Sequence, residues 1–505
     1  MSSAALAPGV YVKEVPSGMR TISGSGTSTP AFLGYTLKSP GQEPGAPVLV
    51  RGWREFVDLF WCPSGLVEAK DKLRLAEDEK ALARNSIETL WASFNKVATD
   101  EGMSAEKVAE LKKLQEKRWN GGDLTPEEPE SLKSLEGEVP AKAGEAYRSV
   151  CAAGEGLIAA GKKVTASTAD LKKLDGKENW KMADAVSGFF ANGGASCYIV
   201  ALSAEKQFAA ELAGDPDKHT GLAGLESVRD VSMVAVPDLW TSGPQEAVGI
   251  QYTQQVVTHC VAMGERLAIV DPPPGLKPAA LKTFVDKLPR TDADAAFTTV
   301  YYPWVTVIGK VGEKAADVPG CGHVAGIWAR TDAERGVFKA PANQNLRGIT
   351  GLPTLLTDAV QGELNERGVN CLRSFPGQGY LVWGARTRST SRDWVYLNVR
   401  RLVCFLAESI RLSSTWAVFE PNDERLWATL RYSVETFLTD QWRQGALQGR
   451  TAQEAFFVTC DETNNTPETI DQGKVICDIG VAPVRPAEFV HFTLTQITGL
   501  PDQTG

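Results

Sequence analysis

The most constraining feature of this chain is a strand, helix, strand alternation in its middle third. Val231–Val236 is a short apolar run, Glu246–Met263 has helical length, and Leu267–Val270 is again apolar and ends at Pro272-Pro273-Pro274-Gly275. Two buried strands joined by a long helix form a crossover, and crossovers build parallel sheets covered on both faces. Just upstream, Ala183–Phe190 reads as a helix stopped by Asn192-Gly193-Gly194, and Ala195–Leu202 reads as a buried strand. The central fold class is therefore α/β, with α+β character where the last third mixes elements. There Leu397–Leu412 reads as a helix and Thr415–Phe419 as a strand. Asp423–Trp442 reads as an amphipathic helix with Trp427, Leu430, Val434, Phe437 and Leu438 on its apolar face.

Between Cys62 and Asn179 the composition shifts to Ala, Lys, Glu and Leu, and helical spacing takes over. Ile87, Leu90, Phe94 and Val97 share one helix face, and Ala143, Tyr147, Val150, Leu157 and Val164 share another. Thr125-Pro126-Glu127-Glu128 has the form of a capping box, with Thr125 as the cap. A small helical bundle inserted into a β-containing body is expected. At the two ends, Val10–Val15 is a β-rich run fenced by Pro8-Gly9 and Pro16-Ser17-Gly18. Val490, Phe492 and Leu494 alternate with His491, Thr493 and Thr495 after the Pro483–Pro486 break. Both ends offer strands, and a lone strand needs a partner.

Composition narrows the function. The chain has 505 residues, so about three domains are expected. Lys and Arg number 53 against 62 Asp and Glu, a net charge of −9, and neutralising nucleic-acid phosphates needs clustered cations instead. No run of about 18 apolar residues occurs, and the opening lacks a basic leader, so a soluble chain without an export signal is expected. Nine singly scattered cysteines, with no CxxC, suit buried thiols better than disulfides or zinc. The four histidines have no metal-ligand spacing, and His323 reads as structural. There is no P-loop and no GxSxG elbow. Asp238 and Asp271 each follow an apolar strand, where ligand sites of open α/β sheets lie, and together can hold a divalent cation for hydrolytic chemistry. VPD and VDPPP are equally ordinary turn sequences in which Asp bonds its own backbone.

Longer stretches carry a resemblance. PGVYVKEVPSG (8–18), GTSTPAFLGYT (26–36), FFANGGASCYIV (189–200), GHVAGIWARTDAERGVFKAPAN (322–343), LVWGARTRS (381–389), YLNVRRL (396–402), FEPNDERLW (419–427) and IGVAPVRPAEFV (479–490) resemble, in order, the contractile tail sheath proteins of phage tails, R-type pyocins and extracellular contractile injection systems. The resemblance implies a structural subunit with no active site and no cofactor. Hexameric rings of it stack around an inner tube, and contraction from a metastable array drives that tube through an envelope without nucleotide. It implies terminal arms that exchange strands between subunits, which fall here on Val10, Tyr11, Val12, Lys13, Glu14 and Val15, and on Phe489, Val490, His491, Phe492, Thr493 and Leu494. Gly18, Gly24 and Gly26 are candidate hinges.

The domain layout it implies is an arm at 1–20, an α/β middle domain at 21–61 and 179–310, a helical insertion at 62–178 on the outer surface, a C-terminal core at 311–487 facing the tube, and an arm at 488–505. Arg431, Glu435, Asp440 and Arg443 are candidate tube-facing charges, set against an ordinary solvated helix face. Implied partners are identical subunits, the inner tube protein, and baseplate and cap proteins, with neither nucleic acid nor direct membrane binding expected. Assembly would take place in the bacterial cytoplasm, followed by incorporation into a phage tail or tail-like particle. The rival readings are a non-polymerising baseplate or cap adaptor and an α/β metal-dependent hydrolase using Asp238 and Asp271.

Overall fold

The computed structural model describes residues 21–40, 43–61, 64–120, 125, 127–173, 180–288, 291–308 and 315–489. The chain divides into two compact units, a helical one within residues 61–180 and a body formed by the segments on either side.

In the helical unit, α1 (Ser64–Asp100) and α4 (Gly144–Lys173) pack along each other, with α2 (Ala105–Trp119) and α3 (Glu128–Gly137) completing the bundle. The core holds Ile87, Phe94, Leu111, Tyr147, Val150 and Leu157, with Leu90 and Val97 half-buried beside them, as the spacing requires. Trp119 lies against the α4 backbone at Gly154, where a Cβ would stand 2.0 Å from its ring. The expected capping box is half formed. Glu128 Oε2 accepts from Thr125 N at 2.6 Å, but the helix starts at Glu128 and Glu127 is its cap residue. Lys117 Nζ, 2.7 Å from the same carboxylate oxygen, helps hold Glu128 there.

The body is built on a nine-stranded sheet. Its strands are β1 (Pro30–Tyr35), β2 (Val48–Val50), β3 (Cys197–Leu202), β4 (Met233–Ala235), β5 (Leu267–Val270), β6 (Thr298–Tyr302), β9 (Gln344–Asn345), β10 (Val369–Phe375) and β11 (Gly379–Trp383). A side hairpin pairs β7 (Val305–Ile308) with β8 (Ala315–Val318). The order across the sheet is β2-β3-β1-β4-β5-β6-β10-β11-β9. Strands β3 through β10 are parallel, and β2, β11 and β9 close the sides antiparallel. Every residue of β4, β5 and β6 is buried, so both faces are covered. The sheet passes from β6 to β10, so the domain boundary expected at 310/311 falls inside one continuous hydrogen-bonded layer.

α5 (Met182–Ala191) and α7 (Cys321–Arg335) lie side by side over this sheet, and α6 (Glu246–Met263) packs on β5. Glycine makes the first pairing possible. A Cβ at Gly322 would stand 2.1 Å from Ala185 O, one at Gly326 2.4 Å from Phe189 O, and one at Gly188 2.5 Å from the His323 ring. The two helix backbones therefore meet with nothing between them. α5 ends as the Gly pair suggests: Gly194 N donates to Phe189 O at 3.0 Å and Gly193 takes φ 108°.

After the sheet come α8 (Leu397–Ser413), α9 (Glu424–Arg443) and an antiparallel ribbon of β12 (Phe456–Thr459) and β13 (Asp478–Val481). Asp423 caps α9 by accepting from Leu426 N at 3.0 Å, and all five apolar-face residues read from the sequence are buried. Thr415–Phe419, expected as a strand, is instead a 3-10 turn over Thr415–Ala417. Trp416 packs with the Leu426–Trp427 cluster, and Phe419 is fully exposed at φ 69°, which a strand does not allow.

A methyl group at Gly322 has to push two helix backbones apart. Gly322→Ala is expected to cost about 2–4 kcal/mol in urea unfolding, by the overpacking mechanism. Gly362→Ala, with open space around it, should be neutral or stabilising by up to about 1 kcal/mol. Equal effects at the two sites would contradict the packing.

Candidate assembly surfaces

The strand order β3-β1-β4-β5-β6 is that of a doubly wound sheet, whose ligand crevice opens at the carboxyl ends of the two strands where winding reverses, here β1 and β4. In this chain that crevice is filled from within. Asp238 is fully buried just beyond β4. Its Oδ2 accepts from Tyr35 N at 2.9 Å, and its Oδ1 accepts from Lys181 N at 2.6 Å and Thr241 Oγ1 at 2.8 Å. A Cβ on Gly34 would sit 2.5 Å from the same carboxylate. Asp238 thus fastens the end of β1 to the start of α5. Asp271, beyond β5, accepts from Gly320 N at 2.9 Å at the start of α7, while its carbonyl accepts from Trp240 Nε1. Burial pushes the carboxyl of Asp238 up to about 6 and that of Asp271 up to about 7, against the pull of those donors. Both carboxylates, weighed as cation ligands, are committed to helix starts. Among the described residues no three His, Cys, Asp or Glu side chains gather as a metal site needs.

The described chain ends are both anchored to the body. Near the amino end, Ser23 N donates to Ser413 Oγ (3.2 Å), Ser25 N to Ser409 Oγ (2.9 Å), and the Thr27 carbonyl accepts from Arg401 Nη2 (3.0 Å). These partners, with Phe405 between them, recur every four residues and form one stripe of α8. Gly24 packs on the Phe405 ring, so it lies inside this anchored stretch and not at a free hinge, and Gly26 follows it between the same tethers. Arg401 is also in a buried ion pair with Asp332 of α7, its guanidinium 4.7 Å from the centre of the Trp328 ring. Near the carboxyl end, Glu488 forms a two-pronged pair with Arg386, at 2.7 Å from Nε to Oε1, and also accepts from Asn365 Nδ2. Sequence reading missed these anchors because serine stripes and single ion pairs carry no periodic signal.

Phe489, the next residue, is exposed and outside any strand. The other expected strand-exchange residues, Val10, Tyr11, Val12, Lys13, Glu14, Val15, Val490, His491, Phe492, Thr493 and Leu494, lie outside the described residues, as does Gly18. The ribbon β12–β13 is the second feature not read from the sequence. Among the described residues it has only two strands, so both outer edges carry unpaired main-chain groups. Phe456, Val458 and Val481 hold one face on the cluster around Val434 and Phe437. Phe457 lies across Gly480 on the other face and is 60% exposed.

The four charges read on α9 are not gathered together. Asp440 and Arg443 are exposed and pair with each other at 3.8 Å. Arg431 is turned to Asp461 and the Cys460 carbonyl. Glu435 is half-buried.

Residues 213–388 match the phage tail sheath protein central domain, and residues 389–497 match the phage tail sheath C-terminal domain, together more than half of the chain. The chain belongs to the contractile tail sheath family. A tail sheath protein of Vibrio phage KVP40 is 29% identical over 185 residues, 36% of this chain and 27% of that protein. A putative prophage major tail sheath protein of Pseudomonas aeruginosa is 29% identical over 196 residues, 38% of this chain and 49% of that one. The chain thus spans between about a quarter and a half of the length of these curated relatives. In fold it is similar to the helical sheath of the anti-feeding prophage in its contracted state, with a TM-score of 0.59 at 24% identity, covering 98% of this chain and 100% of that one.

The raised carboxyl of Asp271 fixes a pH dependence. The folded chain keeps this proton up to about pH 7, whereas an unfolded Asp loses it near 3.9. Between those values the folded state holds more protons, so stability falls as pH rises and levels off above neutrality. Asp271→Asn keeps an acceptor for Gly320 N without the titration. The loss of thermal midpoint between pH 5 and 8 should be smaller in this variant, and an equal loss would remove the assignment.

Proposed function

We propose that this chain is the repeating subunit of a contractile sheath, polymerising as stacked hexameric rings around an inner tube and shortening to drive that tube through a target envelope. The observation that carries the proposal is the open β12–β13 ribbon on a body of the sheath family. A two-stranded ribbon is marginal by itself in water, and its edges are templates for added strands. The segments Val10–Val15 and Phe489–Leu494 of neighbouring copies are the strands offered to it. Each net main-chain hydrogen bond contributes about 0.5–1.5 kcal/mol, so an added strand of four or five residues holds subunits together while the chain between root and strand lets them rotate. The anchors Ser23, Ser25, Thr27 and Glu488 mark where such arms leave the body.

The exposed Asp440–Arg443 pair and the half-buried Glu435 and Arg431 are the charges proposed for salt-sensitive contact with the tube. A solvated surface pair is worth little by itself, about 0–1 kcal/mol, so many weak contacts along a sheath would set its grip. The partners in this reading are identical copies, a tube protein, and baseplate and cap proteins. Assembly is placed in the bacterial cytoplasm, before the particle is retained or released.

The test separates folding from polymerisation. Chains lacking residues 1–20, or lacking residues 490–505 with the Arg386–Glu488 pair kept, should retain the circular dichroism and melting behaviour of the full chain yet form no tubes in electron micrographs. Long sheaths of normal appearance from both truncated chains would rule out strand exchange. Discrete rings from the intact chain together with its tube protein would favour the adaptor reading.

A further inference from the structure

β12 and β13 run antiparallel with Thr459 opposite Asp478, so continuing the ladder by one residue sets Cys460 opposite Cys477. Opposed residues of an antiparallel pair have Cα atoms about 4.5–5.5 Å apart, inside the range of about 4.4–6.8 Å that a disulfide bridges. Beyond the pair, Asn465 locks the two segments together. Its Oδ1 accepts from Ile476 N at 2.7 Å, and its Nδ2 donates to Ile476 O at 2.9 Å and to Asp461 O at 3.1 Å. The opposed backbones are therefore fixed on both sides. The neighbouring Cys477 thiol, together with Asn465 and Arg431, holds the Cys460 thiol below its ordinary pKa. Cys460 is buried against Trp427 and Leu430, whereas Cys477 is half-exposed. The sequence spacing, which suggested solitary thiols, does not show this pairing, because sixteen residues separate the two cysteines along the chain.

We propose that Cys460 and Cys477 are a redox pair that closes to a disulfide under oxidising conditions and staples the end of the β12–β13 ribbon. The oxidant is a small disulfide of the glutathione class. Cys477, the accessible member, whose thiol Cys460 and burial hold above its ordinary pKa, loses its proton as it attacks one sulfur of oxidised glutathione, and that proton passes to the departing glutathione thiolate as the mixed disulfide forms. The Cys460 thiolate then attacks the Cys477 sulfur and expels the second glutathione. Two electrons pass from the cysteine pair to the glutathione disulfide, and the two thiol protons end on the two glutathiones. The bond fixes the register of the ribbon from its closed end, leaving both outer edges open. It depends on pairing within one chain and stands whether or not the ribbon accepts a neighbour's arm.

The full-length protein is equilibrated in glutathione buffers from reducing to oxidising, quenched in acid, unfolded, alkylated and analysed by peptide mass mapping. The expected result is loss of two alkylatable thiols in one step, a cross-linked peptide joining residues 460 and 477, and a higher unfolding midpoint for the oxidised form. Cys477→Ser should lose both the cross-link and the shift, and Cys460→Ala should do the same. The proposal is overturned if both thiols remain alkylatable in the most oxidising buffer. It is equally overturned if Cys477 stops at a glutathione adduct, or if either residue pairs with another cysteine.

Discussion

Main-chain amides and carbonyls withdrawn from water must find partners, and this requirement organises the molecule. At several points where the chain leaves regular structure inside the body, a side chain takes over the pairing. Asp238 takes the amides of Tyr35 and Lys181, and Asp271 takes that of Gly320. Asn192 exchanges two hydrogen bonds with the backbone of Arg347, and Asn370 does the same with Arg386. Each of these ties an irregular segment to a helix or strand already fixed by the sheet. The β12–β13 ribbon, like the β7–β8 hairpin, has only two strands among the described residues, so its outer edges have no third strand. The same requirement that closes the interior leaves this surface open to another chain.

That contrast explains why a doubly wound sheet serves here as a scaffold. In an enzyme of this architecture the reversal of winding leaves a crevice for a ligand. Here Asp238, Gly34 and the start of α5 occupy it, and the close meeting of α5 with α7 through Gly188, Gly322 and Gly326 leaves no slack above the sheet. Under the proposed reading, force enters such a body through its arms. The anchors suit that role, because Thr27 is held by the buried Arg401–Asp332 pair, and Glu488 is gripped by Arg386 at two points. Detaching Thr27 removes a hydrogen bond from Arg401, and detaching Glu488 removes the carboxylate from Arg386; hydrogen bonds to charged groups contribute about 1.5–3 kcal/mol each, so both roots resist being peeled away.

Much of the fold was legible. Glu246–Met263 and Leu267–Val270 begin and end where read, because long helices and buried parallel strands each impose an unmistakable spacing. The apolar face of α9 was equally plain. Thr415–Phe419 misled because the alternation of Trp416 and Val418 over five residues fits a strand, while the outcome turned on where Trp416 found an apolar cluster. Gly24 reads as a hinge by its place among glycines near Pro16, yet the Phe405 ring beside it belongs to α8, far along the chain. The sheet crosses the 310/311 division for a related reason, since β6 and β10 become neighbours only across a long excursion of the chain.

What the sequence by itself determined is the long helices, the buried parallel strands and the family they compose, because periodicity, caps and long shared blocks are local properties of the chain. Only the tertiary structure decided what the charged and polar residues do. It turned two strand-end aspartates from potential ligands into helix anchors, bound the inner part of each terminal segment to the body, and set Cys460 opposite Cys477. Those outcomes depend on which distant backbone arrives at hydrogen-bonding distance. That is fixed by strand order and register, and no short stretch of sequence contains either.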